Sequence, residues 1–307
     1  MPTTQTSEAA TRDTHDTPRG AGIGKRVTAQ IIEMLRNGTR PWVAPWDSAT
    51  ALGLPLRANG VAYRGINTIV LWTAAQTHGY RARHWLTFKQ ALALGGAVRR
   101  GERGQHIVFY SDGVRADEGD AQQTPPRGAV LRSYAVFNAE QVSGLPVHFY
   151  APPITPLSED ETTLAERFAR VPATLEHGGA RACYNPVRDI IFMPPRAAFS
   201  SAALYYATLA HECAHWTGHP TRLDRDFNTQ ASSLAYAREE LVAELTAAFV
   251  GAELGLPVEH IENHAAYLES WLKLLRHEPG ALLSAVAKAQ AAADYLGTYL
   301  LAAEPSA

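Results

Sequence analysis

The segment SAALYYATLAHECAHWTG, residues 201–218, limits what this chain can fold into more than any other. Its apolar residues recur at helical spacing, so a long helix must bury at least one face. Two imidazoles and a carboxylate lie within that helix, and buried His and Glu demand partners. His211 and His215 are four residues apart, which stacks them one turn above each other and points them the same way. That spacing lets two rings share one metal ion. Glu212 projects toward the open side of such a site, where it can take a proton from a metal-bound water. One zinc ion is the expected occupant, because zinc accepts His nitrogens and a carboxylate oxygen and tolerates an open fourth position. It would lower the pKa of bound water from about 16 to about 7. This chain's own His and Glu frequencies would produce HExxH by chance only about 0.03 times over its length.

A third ligand must come from elsewhere. A third His three residues after Gly218 would mark a metzincin, but that position is Thr221. His219 is near in sequence, yet Gly218 is expected to close the helix before it, which leaves His219 as a supporting imidazole or an alternative ligand. The acidic run AREELVAEL offers better geometry. Glu240 and Glu244 are one turn apart on one face, so the first can ligate while the second orients a ligand His through its free ring N–H. Glu239 points about 100° away and is expected to face solvent. The order of preference is Glu240, Glu244, Glu239. Two His on one helix and Glu on the next resemble the gluzincin metallopeptidases, which implies peptide-bond hydrolysis with Glu212 as general base. Tyr205, Tyr236 and His219 are the candidates for stabilising the oxyanion.

The 307 residues exceed the usual single-domain size, and the composition, 46% apolar and 19% charged, is that of a globular protein. No run of about 18 apolar residues suggests a membrane span. The polar, Thr-rich start lacks the apolar core of a signal peptide, so residues 1–20 read as a disordered tail and the cytoplasm is the expected compartment. Cys183 and Cys213 form no CxxC and are expected to be free thiols.

Charge is distributed unevenly. Residues 21–110 hold 12 Lys and Arg against 3 Asp and Glu, a local charge of +9, while the remainder carries −11 of a net −2. The fold class that follows is α+β, with a mixed α+β domain at 21–150, a Pro-rich linker at 151–158 and a mainly helical domain with a small sheet at 159–307. KRVTAQIIEMLRNG begins the first domain as a helix that Gly38 can end. Helices are predicted through NTIVLWTAAQTHG and TFKQALALGG and strands through GQHIVFYS and AVLRSYAVFNAEQV, with residues 112–128 as a surface excursion. In the second domain, RACYNPVRDIIFMP reads as a hairpin around Asn185-Pro186, and YAREELVAELTAAFVGAELG as a helix followed by two more.

Aromatics are interleaved with the cations of the basic domain. Trp72 and Phe88 lie in apolar helical stretches and read as packing residues. Trp42 and Trp46 flank Pro45, and Tyr63-Arg64 follows a Gly turn, placements that favour exposure. Exposed aromatics with Arg and Lys suit single-stranded DNA, each stacked base contributing about 1 to 3 kcal/mol. Arg99, Arg100 and Arg103, set among glycines, suit approach to phosphates, and Lys89 adds to the same charge.

PWVAPW, YRGIN, GYRARHWLTFKQALALGGAVRRGERG and VFNAEQVSGLP, followed by LAHECAHWTGHPTRLDRDF and AREELVAELTAAFVGAELG, resemble the ArdC family of plasmid antirestriction proteins from about residue 21 to 302. The first half is similar to the domain shared with TraC-type conjugation primases, the second to zincin-like proteases. The resemblance implies a single-strand-binding protein that shields incoming plasmid DNA from restriction enzymes, with His211, Glu212, His215 and Glu240 on the protease motif. Trp42, Trp46, Tyr63, Arg64, Asn67 and Trp85 fall on the N-terminal motifs. The tail and the 112–128 excursion depart from the pattern. Restriction enzyme subunits or other DNA-bound proteins would be the substrates. A competing reading is a chain that occludes DNA without catalysis, its metal site structural.

Overall fold

The computed structural model describes residues 19–40, 42, 53–111, 130–150, 160–227, 233–256 and 264–302. Residues 1–18 of the expected tail, Trp46, the 112–128 excursion and the 151–158 linker lie outside the described residues; the expected end of the tail at residue 20 is corrected, since Arg19 and Gly20 belong to the first helix.

Helix α1 (Arg19–Arg36) buries Val27, Ile31 and Leu35 on one stripe and ends where Gly38 adopts φ 73°, a conformation that side chains disfavour. Helix α2 (Ile66–His78) is the next helix described. Strand β1 (Trp85–Thr87) leads into α3 (Phe88–Ala93), whose start is fixed by a reciprocal cap between Thr87 and Gln90. Strands β3 (Gln105–Ser111) and β4 (Val130–Asn138) complete an antiparallel sheet of order β1-β4-β3, and β2 (Ala97–Val98) pairs separately with β5 (Val142–Ser143).

The second half opens with α4 (Glu161–Ala169), capped by Asp160. A small sheet follows, β6 (Thr174–His177), β7 (Cys183–Asn185) and β8 (Ile190–Met193), in order β6-β8-β7. The β7–β8 pair is the predicted hairpin; β6, parallel to β8, is a strand that its mostly polar residues did not advertise. Helices α5 (Ala202–Trp216), α6 (Leu234–Leu254), α7 (His264–His277) and α8 (Ala281–Leu300) make up the rest. No described helix is long and apolar enough to cross a membrane.

One apolar core crosses from the basic half to the acidic half. Val27, Ile31, Leu35, Trp42, Ile69 and Trp72 pack in the same cluster as Leu241, Leu245, Phe249, Trp271, Leu275 and Leu282. Trp42 meets Trp271 edge to face at 5.9 Å between ring centroids, and Trp72 meets Phe249 at 5.8 Å. The apolar stripes of α1 and α2 therefore find their cover on α6–α8. This core encloses α6 on nearly every side, and that burial sets the geometry of the site.

Candidate metal centre

Helix α5 is held at its start by Ser201, which accepts from Leu204 N, and is buried from Tyr205 to Trp216 apart from Thr208. His211 and His215 point the same way, with their Nε2 atoms 3.2 Å apart. Glu240 from α6 closes the triangle: its two carboxylate oxygens lie 3.6 Å from His211 Nε2 and from His215 Nε2. Zinc bonds of about 2.0 to 2.1 Å place tetrahedral ligands about 3.3 to 3.4 Å apart, so the donor set and its spacing fit one such ion. Among the described residues these three form the group whose ligand atoms converge.

The charges around the triangle are those a dication would balance. Burial alone would lower the His211 pKa, but Glu240, Glu212 and Glu244 outweigh it and raise it to about 9. Burial alone would raise Glu240, yet His215, His211 and Tyr236 bring it down to about 2. Glu212 is raised, chiefly by burial, with His211 and His215 opposing. A carboxylate of raised proton affinity beside the ligand triangle is what a general base requires.

Each ligand ring is met from behind by a second carboxylate. His215 Nδ1 lies 3.2 Å from Glu239 Oε1, a hydrogen bond. His211 Nδ1 faces Glu244 Oε2 at 4.0 Å, an electrostatic approach beyond hydrogen-bond length. Both contacts favour the tautomer that carries the proton on Nδ1 and presents Nε2. The expectation that Glu239 faces solvent is corrected: it is buried, because α6 is covered on every side from Glu239 to Gly251 and a 100° turn there does not reach water. Glu244, the residue expected to orient a ligand His, stands on the Nδ1 side of His211 and is not among the converging ligands. His219 is left out as well, its Nδ1 being engaged by Thr221 Oγ1 at 2.8 Å and Thr221 N at 3.3 Å.

Sequence reasoning missed Arg225. It returns from the loop after α5 to donate to Glu239, Nε to Oε2 at 3.0 Å and Nη2 to Oε1 at 2.8 Å, and to Thr217 Oγ1 and the Ala214 carbonyl. Lying within the charged run RLDRDF, it gave no sign of burial. Gly218 follows the end of the helix as expected, but for another reason: its φ is not positive, and a Cβ there would meet Phe227 at 2.6 Å and the Arg225 guanidinium at 2.8 Å. Gly218→Ala is expected to displace Arg225 and destabilise the fold by about 1 to 3 kcal/mol, read as a lowered midpoint in urea. An unchanged midpoint would show that these side chains yield without cost.

Of the oxyanion candidates, Tyr205 is drawn to His177 Nε2 at 2.8 Å. Tyr236 sits beside Glu240, and its hydroxyl lies 3.3 Å from that of Tyr267.

The aromatic residues expected on a DNA face are corrected more broadly. Trp42, Tyr63 and Trp85 are buried. Tyr63 Oη donates to the Trp85 carbonyl at 3.2 Å, and Trp42 Nε1 donates to Glu244 Oε1 at the same distance. Asn67 pairs with the Val108 backbone in both directions, at 2.7 and 2.9 Å, as a neighbouring strand would. Arg64 forms an ion pair with Asp294 of α8. These polar motif residues have become joints between elements because the core that spans both halves recruits them. Phe88, expected to pack, is 51% exposed. Lys89, Arg99, Arg100 and Arg103 are exposed, Arg99 paired with Glu102 at 2.9 Å.

Two imidazoles one turn apart, a glutamate beside them and a carboxylate from the next helix are the pattern of a zincin-like metallopeptidase domain, and the family model of that description matches residues 163–288. A model for the N-terminal domain of anti-restriction factor ArdC matches residues 22–137. Crystal structures of the antirestriction protein ArdC from plasmid R388, metal-free and Mn(II)-bound, superpose with TM-scores of 0.75 and 0.74 at 41% and 40% identity, covering 91% of this chain and 98% of theirs. The chain belongs to the ArdC antirestriction family. Protein y4eC of Sinorhizobium fredii, uncharacterized, is 41% identical over 284 residues, 89% of this chain and 91% of its own. DNA primase TraC of Escherichia coli is 38% identical over 291 residues, 88% of this chain but 19% of the primase.

Proposed function

We propose that this chain is a cytoplasmic antirestriction protein that binds single-stranded DNA and hydrolyses proteins on it, restriction enzyme subunits among them, with one zinc ion at His211, His215 and Glu240. The observation that carries the reading is the ligand triangle with Glu212 beside it. When bound, zinc would supply Lewis-acid polarisation and charge stabilisation there. Glu212 accepts the proton of the attacking water and returns it to the leaving amine. Glu239 and Glu244 hold the two rings in the metal-binding tautomer, and Tyr236 steadies Glu240. Metal-dependent cleavage of restriction subunits, with and without single-stranded DNA, is the direct test; no cleavage under either condition would leave a DNA-occluding protein.

For DNA, the exposed features around α3 support the cationic part of the expected face, with Phe88 in place of the buried Trp42, Tyr63 and Trp85. Phe88 and Leu92 are four apart and exposed, Lys89 lies beside them, and α3 packs on β2, from which Arg99, Arg100 and Arg103 follow around Gly101. An aromatic and cations on one surface suit stacking and phosphate neutralisation. Phe88→Ala is expected to weaken binding of a labelled oligonucleotide by about 1 to 3 kcal/mol. The Lys89, Arg100 and Arg103 triple alanine variant should lower the slope of log affinity against log salt by about 2, at about 0.7 for each phosphate that is no longer neutralised. Anisotropy titrations unchanged in both variants would place the DNA elsewhere.

A further inference from the structure

Glu244 is completely buried, and an ionised carboxylate in such a place needs strong donors. Its Oε1 receives them from the far end of the sequence: Arg40 Nη1 at 2.6 Å and Trp42 Nε1 at 3.2 Å, residues 204 and 202 positions earlier. Its other oxygen faces His211 Nδ1. Arg40 is itself buried, and Trp42 is fixed by Trp271, so the contact is rigid on both sides. Both residues lie just past Gly38, where α1 ends.

From this juxtaposition we infer that Arg40 and Trp42 are positioning residues for the metal centre: the basic half clamps Glu244, and Glu244 sets the orientation of His211. The inference rests on the metal reading of His211, His215 and Glu240. The metal-binding half is therefore completed by the segment after α1. Two donors on Oε1 fix the plane of the carboxylate and with it the place of Oε2. Without them Glu244 would turn, and His211 would lose the carboxylate that stands behind its Nδ1. A displacement of Arg40 or Trp42 would thus reach His211 through one side chain.

The test is a double-mutant cycle on the full chain, with zinc affinity measured by competition against a chromophoric chelator and with folding checked by circular dichroism. Removing carboxylates that support ligand His residues commonly lowers metal affinity by about 10 to 100-fold. Glu244→Gln should fall in that range. Arg40→Ala and Trp42→Phe, the latter keeping the ring and losing the N–H, should each weaken zinc by roughly 3 to 10-fold, because they act at one remove. In the Glu244→Gln background the same two substitutions should have no further effect. Imidazole nitrogen shifts of the metal-free chain should move for His211 in both variants and stay for His215. Equal factors with and without Glu244, or an unmoved His211 signal, would overturn the inference. If the unaltered chain itself bound no zinc, the metal reading would fail, and this one with it; zinc bound equally by all the single variants would sink the clamp alone.

Discussion

Replacing Glu212 with glutamine is expected to leave the fold and zinc loading intact and to reduce peptide hydrolysis by about 100-fold or more, the usual loss when a positioned base is removed. The amide keeps the size of the side chain and the hydrogen bond that the Tyr184 backbone makes to it, so β7 should stay in place. What disappears is the proton acceptor. The measurement is single-turnover cleavage of a DNA-bound protein, with zinc counted by plasma emission in the same preparation. Hydrolysis that survived at the original rate would remove Glu212 from the chemistry. Protection of DNA that survived the loss of hydrolysis would separate antirestriction from proteolysis and favour occlusion of DNA.

The second large effect is on stability. Arg225→Ala is expected to destabilise the fold by about 3 to 5 kcal/mol, since it leaves the buried Glu239 carboxylate without its guanidinium while the rest of the site stays closed. The Ala214 carbonyl and Thr217 hydroxyl lose donors in the same step. Arg188→Ala makes the comparison: its pair with Glu176 at 3.5 Å is exposed on both sides, and its loss should cost at most about 1 kcal/mol. Urea unfolding of the two variants checks both values. Similar midpoints would mean that the Glu239–Arg225 pair relaxes into water, contrary to its burial.

Much of the architecture is legible in the residues alone because it rests on local rules. The stripe Val27, Ile31, Leu35, the turn glycine at 38 and the Asn185-Pro186 reversal each act within a few residues. The strand β6 is not legible, since TLEH carries no apolar alternation and is a strand only because β8 offers it an edge. Glu239 escapes prediction for a related reason. Helical periodicity gives α6 one wet side, and packing leaves none between Glu239 and Gly251. The aromatic motifs Trp42, Tyr63 and Trp85 also contain polar groups, and nothing in their spacing tells a residue that meets a base from one that meets a buried carboxylate.

Part of the site is fixed before any packing: a four-residue interval on a helix aims His211 and His215 at one point and puts Glu212 beside them, whatever surrounds that helix. The sequence also supplies Glu240 on a second helix at the right register. Long-range packing sets the rest: which carboxylate stands behind which ring, the return of Arg225 to Glu239, and the reach of Arg40 and Trp42 from the other half to Glu244. The division has one physical cause. Directions along a helix follow from its period, whereas the partner of a buried charge is set by which distant segments the apolar core draws against it.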